Sequence, residues 1–388
     1  MRKMKKTGLI CGITVLLFLV AACGMVGRRL ILHEKYQNAQ IEMLVNQATQ
    51  KETQIEDLKA EICRLNKITA LLDDAEGIYQ KLKAGRYVNI LIVGDSIGEG
   101  TGASGREQQW FTLLTSWLRE TYGVECTLTN ISMGGNTSYA GYAREMILED
   151  GIEYDLALIC YGENDKAEEL SVNYEAMIRG IREKYRACNM ISILESSQKI
   201  HTDKIQEIEK LAEYYGIPVA DTIRAFQKSG YAYEELAEDG THPGDLGQRI
   251  YFETVRDAIL EQVAQNIPAT KTELKPVNEG VEKYERFQYF PADQFMRTDD
   301  LTWVLETGQI SGVIGVYRRY DPGNCTLQIF ADDILFEEAV VDWQYAFPQQ
   351  HFSKLSENTC RVNRSIKLAF ASPEQADGFE GLLFTGLR

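Results

Sequence analysis

Residues Val88–Gly94 form a short, apolar, β-branched run that stops abruptly at Gly94-Asp95-Ser96, the pattern of a buried strand ending at an exposed hydroxyl. Comparable runs recur at 124–129, 155–160, 190–194 and 217–220, separated by helix-length segments at about 108–122, 172–186, 203–215 and 246–263. Five short strands alternating with helices predict a parallel sheet covered on both faces, because strands buried on two sides read as continuous apolar runs. In such a sheet ligands bind beyond the carboxyl ends of the strands. Ser96 therefore stands where chemistry is expected.

The chain on either side of this α/β region has a different texture. Residues 8–27 are 20 consecutive uncharged, mostly apolar residues behind a basic tail at 1–7, long enough to cross a bilayer as a signal anchor. Two other readings remain for this run: a lipoprotein signal, with Val20-Ala21-Ala22-Cys23 as a lipobox and Cys23 lipidated, or a cleaved secretory signal. Each places the body outside the cytoplasm, with the first two holding it at the cell membrane. Residues 28–73 read as a helical stalk, with Ile41, Leu44, Ala48, Ile55, Leu58, Ile62 and Leu65 in a/d register and Lys51 breaking it. If these heptads pair, the chain is a parallel homo-oligomer; the alternative is one amphipathic helix folded on its own chain. A short helix at 74–85 opens the α/β domain, expected over 74–266. A polar linker follows at 267–282, and then short β-rich runs from 283 to 388 are broken by turn signals such as Asp321-Pro322-Gly323-Asn324. Many short strands without intervening helices suggest an antiparallel β-sandwich.

Composition narrows the partners. The formal net charge is −16, and setting aside Arg2, Lys3, Lys5 and Lys6 takes the body from −16 to −20. Such a surface repels phosphate backbones, which argues against nucleic acid as a partner. The eight cysteines show neither a C-x-x-C pair nor a zinc spacing, so no metal site or other cofactor is expected. Cys325 and Cys360 are candidates to pair within the β-rich region.

A serine hydroxyl needs a general base to act as a nucleophile, usually a histidine whose second nitrogen is held by a carboxylate. The chain has four histidines, His33, His201, His242 and His351. Only His242 has a suggestive setting, in Asp239-Gly240-Thr241-His242-Pro243, where the carboxylate three residues ahead can reach back to the ring. An acyl-transfer site also needs donors aimed at the developing oxyanion. Asn130 through Thr137, with Gly134-Gly135, offers backbone amides after the second strand. Tyr161-Gly162-Glu163-Asn164-Asp165 offers a side-chain amide after the third. Glu99, at the rim, reads as a solvated loop residue, and Asp165 as a structural hydrogen-bonding group.

Taken in order, Gly94-Asp95-Ser96-Ile97, Asn130–Ser138, Gly162-Glu163-Asn164-Asp165 and Asp239-Gly240-Thr241-His242-Pro243 resemble the four sequence blocks of the SGNH hydrolases, or GDSL-type esterases. The resemblance spans about 86–265, with Ile97 in the place of the eponymous leucine. It implies a flavodoxin-like sheet of order 2-1-3-4-5, Ser96 as nucleophile, His242 as base and Asp239 as its orienting carboxylate. It further implies an oxyanion hole of the Ser96 and Gly135 amides and Asn164, with Gly134 as the alternative glycine. The implied substrate is an acylated carbohydrate or other small ester at the cell surface, a short acyl group leaving by hydrolysis. The alternatives are an O-acetyltransferase using the same serine and an inert glycan-binding or scaffold protein. Trp303, Tyr317, Tyr320 and Trp343 are candidates to stack on sugars or, more simply, to pack the sandwich.

Overall fold

The computed structural model describes residues 41, 43–45, 47, 50, 51, 54, 77–185, 187–265, 274–321 and 323–386. The expected membrane segment at 8–27 and most of the stalk lie outside these residues. The described positions between 41 and 54 are helical, with Ile41 and Leu44 exposed. Among the described residues no helix is long and apolar enough to cross a membrane. From Gly77 onward the described chain belongs to one compact unit.

β1 (Val88–Gly94) is buried along its whole length, and its side chains divide between two cores as a strand's period of two requires. Leu91 and Val93 point into one core, while Val88, Ile90 and Ile92 point into the other. β2 (Cys126–Asn130), β3 (Leu156–Cys160), β4 (Asn189–Leu194) and β5 (Val219–Asp221) complete a parallel sheet of order β2-β1-β3-β4-β5. Helices Ser138–Ile147, Ala167–Lys184 and Asp203–Tyr215 cover the first face. Ile78–Lys83, Trp110–Tyr122 and Asp245–Gln265 cover the second.

Beyond the α/β part come β6 (Phe287–Pro291), β7 (Met296–Arg297), β8 (Thr302–Glu306), β9 (Ile310–Tyr320), β10 (Gly323–Ala331), β11 (Ile334–Trp343), β12 (Gln349–Lys354), β13 (Cys360–Val362), β14 (Ser365–Phe370) and β15 (Phe379–Thr385). They form two antiparallel sheets, β11-β10-β14-β8-β7 and β12-β9-β15-β6, with β13 also on β9. Leu327, Ile329 and Leu368 from one sheet and Ile314, Val316 and Leu382 from the other share a third core. This is the expected antiparallel β architecture. Cys325 and Cys360 are both buried and free, so the pairing considered from sequence does not form.

The β part is fastened to the α/β part. Phe352 and Leu383 enter the core of the first sheet face. Gly315 on β9 meets helix Ser138–Ile147 so closely that a Cβ there would collide with the Tyr139 hydroxyl. The segment read as a polar linker is also held from Leu274 onward. Glu175 accepts the Val277 and Asn278 amides at 2.6 and 2.8 Å, and Arg179 donates to the Leu274 carbonyl at 2.7 Å. The result is that the five residues between β11 and β12, 344–348, lie over the carboxyl edge of the parallel sheet.

Candidate active site

Ser96 opens a one-turn helix directly after β1, and Asp95 caps that turn by accepting the Ile97 amide at 2.9 Å. The serine Oγ lies 2.8 Å from His242 Nε2 although 146 residues separate them. Asp239 Oδ2 accepts from His242 Nδ1 at 2.6 Å, while Oδ1 accepts the His242 and Thr241 amides at 2.7 and 2.9 Å. Partial burial works against the Asp239 charge, but the His242 ring and these amides outweigh it and hold the carboxyl down to about 2. An ionised carboxylate on Nδ1 fixes the tautomer that leaves Nε2 free to accept the serine proton. Ser96, His242 and Asp239 are thus brought together as read from the sequence.

The glycine loop after β2 reaches the serine from the side. A Cβ on Gly134 would stand 3.6 Å from the Ser96 Cβ. The Gly134 amide donates to Glu99 Oε2 at 3.1 Å, whereas the Ser96 and Gly135 amides have no acceptor among the described residues. An oxyanion hole would need unclaimed backbone donors of this kind, and of the two glycines it is Gly134 whose amide is already engaged. The Gly135 φ of +72° is open to glycine at no steric cost. Glu99, read as a solvated loop residue, is exposed but tethers this loop.

Asn164 sits between the first two loops. Its Nδ2 donates to Asp95 Oδ2 at 2.8 Å and to the Asn136 carbonyl at 3.1 Å. Both amide hydrogens are therefore engaged in the resting site, and an oxyanion would draw one of them from the longer bond. Asp165 accepts the Ser138 amide at 2.9 Å and the Ser138 hydroxyl at 2.5 Å, the structural role expected of it. The Lys204 ammonium binds the carbonyls of Gly162, Glu163 and Asp165 and so fixes the third block from behind.

Two sets of groups were not found from the sequence, the first being Tyr345 and Phe347 beside Trp343, which the sequence had offered as a residue that stacks on sugar or packs the sandwich. Tyr345, between β11 and β12, donates to Asn164 Oδ1 at 2.6 Å, and burial, followed by the charges of Asp95, Glu163 and Asp165, raises its hydroxyl to about 12. Trp343 and Phe347 flank it at ring-centroid distances of 4.9 and 5.5 Å. A Cβ on Gly135 would lie 2.8 Å from the Tyr345 ring and 2.9 Å from Trp343, and Phe347 lies 3.9 Å from the corresponding atom of Gly134. The aromatic loop of the β part thus forms a wall of the serine site. Trp303, Tyr317 and Tyr320 pack, Trp303 through its Nε1 on the Ala376 carbonyl, Tyr317 on Phe352 and Tyr320 fully buried, and Trp343 too is buried in the sandwich core, behind Tyr345 and Phe347. The second set is Glu195, fully buried just after β4. A carboxylate closing an apolar strand, as Asp95 closes β1, was the available sequence signal. Among the described residues no group of His, Cys, Asp and Glu could hold a metal.

The profile of the GDSL-like lipase/acylhydrolase family matches residues 92–250. No curated protein matches the chain. Among solved structures, a two-domain esterase active on acetylated mannans, co-crystallised with mannopentaose, is 16% identical, with a TM-score of 0.63 over 79% of this chain and 94% of its own. The same esterase without that ligand gives 16%, the same coverage and a TM-score of 0.60. These likenesses show a shared two-part fold.

Proposed function

Because the chain belongs to the GDSL-like lipase/acylhydrolase (SGNH) family through residues 92–250 and is a carboxylic ester hydrolase, we propose that it is a serine esterase removing acetyl or other short acyl groups from carbohydrate. The observation that carries the proposal is the 2.8 Å contact of Ser96 Oγ with His242 Nε2, with Asp239 on the other ring nitrogen at 2.6 Å.

In this mechanism His242 takes the proton of Ser96 as Oγ attacks the ester carbonyl, and Asp239 stabilises the imidazolium. The oxyanion settles on the Ser96 and Gly135 amides, with Asn164 Nδ2 turning from the Asn136 carbonyl to join them. As the intermediate collapses onto the acyl-Ser96 ester, His242 gives that proton to the departing sugar oxygen, which leaves as a hydroxyl. Water, deprotonated by the same ring, then releases the acyl group from Ser96. Exposed Phe347 and half-buried Tyr345, backed by the buried Trp343, suit a pyranose face beside the scissile ester, and the related fold of an esterase active on acetylated mannans supports the same substrate class. The uncharged run at 8–27 supports a body held outside the cytoplasm at the membrane, where such glycans occur.

The test is hydrolysis of p-nitrophenyl acetate and of acetylated manno- and xylo-oligosaccharides by the full chain and by Ser96→Ala. Activity on both kinds of ester, lost with Ser96, is expected. Acetyl transfer to an added sugar without release of acetate would replace the hydrolase with a transferase. Sugar binding with no Ser96-dependent chemistry would leave only a glycan-binding protein.

A further inference from the structure

Beneath Ser96 lie two carboxyls for which the acyl-transfer steps have no use. Asp95 directly follows β1 and Glu195 directly follows β4, and both are wholly shielded from solvent. They converge on the same place, Asp95 holding the Asn164 side chain and Glu195 the Glu163 amide, with Cys160 touching both, which sets the two carboxyls close enough to share a proton. Ionised carboxylates only accept hydrogen bonds, so this contact requires a proton on one partner. The surroundings decide which. Asp95 accepts the Ile97 amide at 2.9 Å and the Asn164 amide at 2.8 Å, a setting that suits the anion. Glu195 accepts the Glu163 amide at 2.7 Å through Oε2, and its Oε1 lies 3.5 Å from the Cys160 thiol.

We propose that Glu195 is a positioning residue for the esterase site: protonated, it donates to Asp95, and the singly charged pair fixes Asn164 and the loop at 162–165 beneath the nucleophile. The inference rests on the serine-esterase reading above. Asp95 holds the Asn164 side-chain amide directly, and Glu195 holds the backbone N–H of Glu163, the residue before it, so the pair acts on both the side chain of one oxyanion donor and the loop that carries it. Burial first, then the charge of its partner, keeps Glu195 well above the usual carboxylate range, and burial raises Asp95 as well. Facing the pair are Glu163 and Asp165 after β3, Cys160 and Tyr161 at its end, Tyr174 and Tyr251 from the two covering helices, and Tyr345 from the β part. The Arg144 guanidinium and the Lys204 ammonium are turned to main-chain carbonyls. A second buried anion therefore meets more negative charge, and loss of the shared proton at alkaline pH loosens Asn164.

The experiment compares the full chain with Glu195→Gln and Glu195→Ala, following p-nitrophenyl acetate turnover from neutral to alkaline pH, the rate at which a fluorophosphonate labels Ser96, and the melting temperature. Glutamine keeps a neutral donor towards Asp95 and an acceptor for the Glu163 amide. It should retain the neutral-pH rate and lack the alkaline decline of the parent. Alanine should lower kcat by about 10- to 100-fold with little change in KM, the penalty of a misplaced catalytic group. Full turnover in Glu195→Ala, a glutamine variant as impaired as alanine, or an alkaline decline unchanged in Glu195→Gln would each overturn the proposal. If Glu195→Ala does not fold, the glutamine profile decides alone. A parent chain that does not hydrolyse esters refutes the esterase reading, while the labelling rates of the variants still judge the pair.

Discussion

Replacing Tyr345 with phenylalanine tests whether the β part takes part in the chemistry. The substitution keeps the ring between Trp343 and Phe347 and removes only the hydroxyl that donates to Asn164 Oδ1 at 2.6 Å. That hydroxyl stays protonated across the working pH range because it is raised to about 12 by burial and then by the neighbouring carboxylates. Losing one hydrogen bond and leaving its half-buried acceptor bare costs about 1–2 kcal/mol. If the bond's role is to hold the Asn164 amide in register with the oxyanion, the cost falls on the transition state, which corresponds to a loss of about 5- to 30-fold in kcat. KM for p-nitrophenyl acetate should change little. Asn164→Ala should lose about 100- to 1,000-fold, and Tyr345→Phe added to it should lose nothing further, because the two changes remove one device. A kcat within twofold of the parent in Tyr345→Phe, with the melting temperature unchanged, would show that the hydroxyl does not position Asn164.

Two other perturbations follow from the same structure. Phe347 is 43% exposed at the lip of the site, so Phe347→Ala should raise KM for acetylated oligosaccharides about 5- to 20-fold, the loss of one stacking contact, and leave p-nitrophenyl acetate almost unaffected. Equal losses on both substrates would remove the wall as a sugar subsite. Glu145 is fully buried on helix Ser138–Ile147, and burial raises it to about 7 despite the Lys184 ammonium 3.5 Å away. A carboxyl raised in the folded state favours folding below its unfolded value, and this contribution is lost as pH rises through 7. Glu145→Gln should therefore be more stable than the parent at pH 8, by about 1–3 kcal/mol, and not below pH 5; parallel melting curves against pH would refute this.

Most of the α/β part was legible because both of its signals are local. The runs at 155–160, 190–194 and 203–215 became β3, β4 and a helix within two residues, since a strand buried on two faces and an amphipathic helix each carry their own pattern. Helix Ser138–Ile147 was missed. It begins directly after the Gly134-Gly135-Asn136 turn and carries Gly141, where Tyr161 leaves no room for a Cβ. A glycine that local propensity counts against a helix is here required by packing. His242 and Asp239 could be found because a carboxylate three residues from a histidine forms a local unit, bonded through both backbone and ring.

The aromatic wall shows where such reading stops. Tyr345 meets Asn164 across 181 residues, and nothing near Trp343-Gln344-Tyr345 distinguishes a loop that lines a site from one that caps a sandwich. What decides it is the docking of two separately patterned halves. Gly315 admits Tyr139, Phe352 and Leu383 enter the α/β core, and Glu175 takes the Val277 and Asn278 amides. None of these contacts touches Ser96, yet together they fix the register of β11 and β12 over the sheet edge. A substitution in this remote seam should therefore reach turnover through Asn164, the proposed oxyanion donor whose side chain is bonded to both halves.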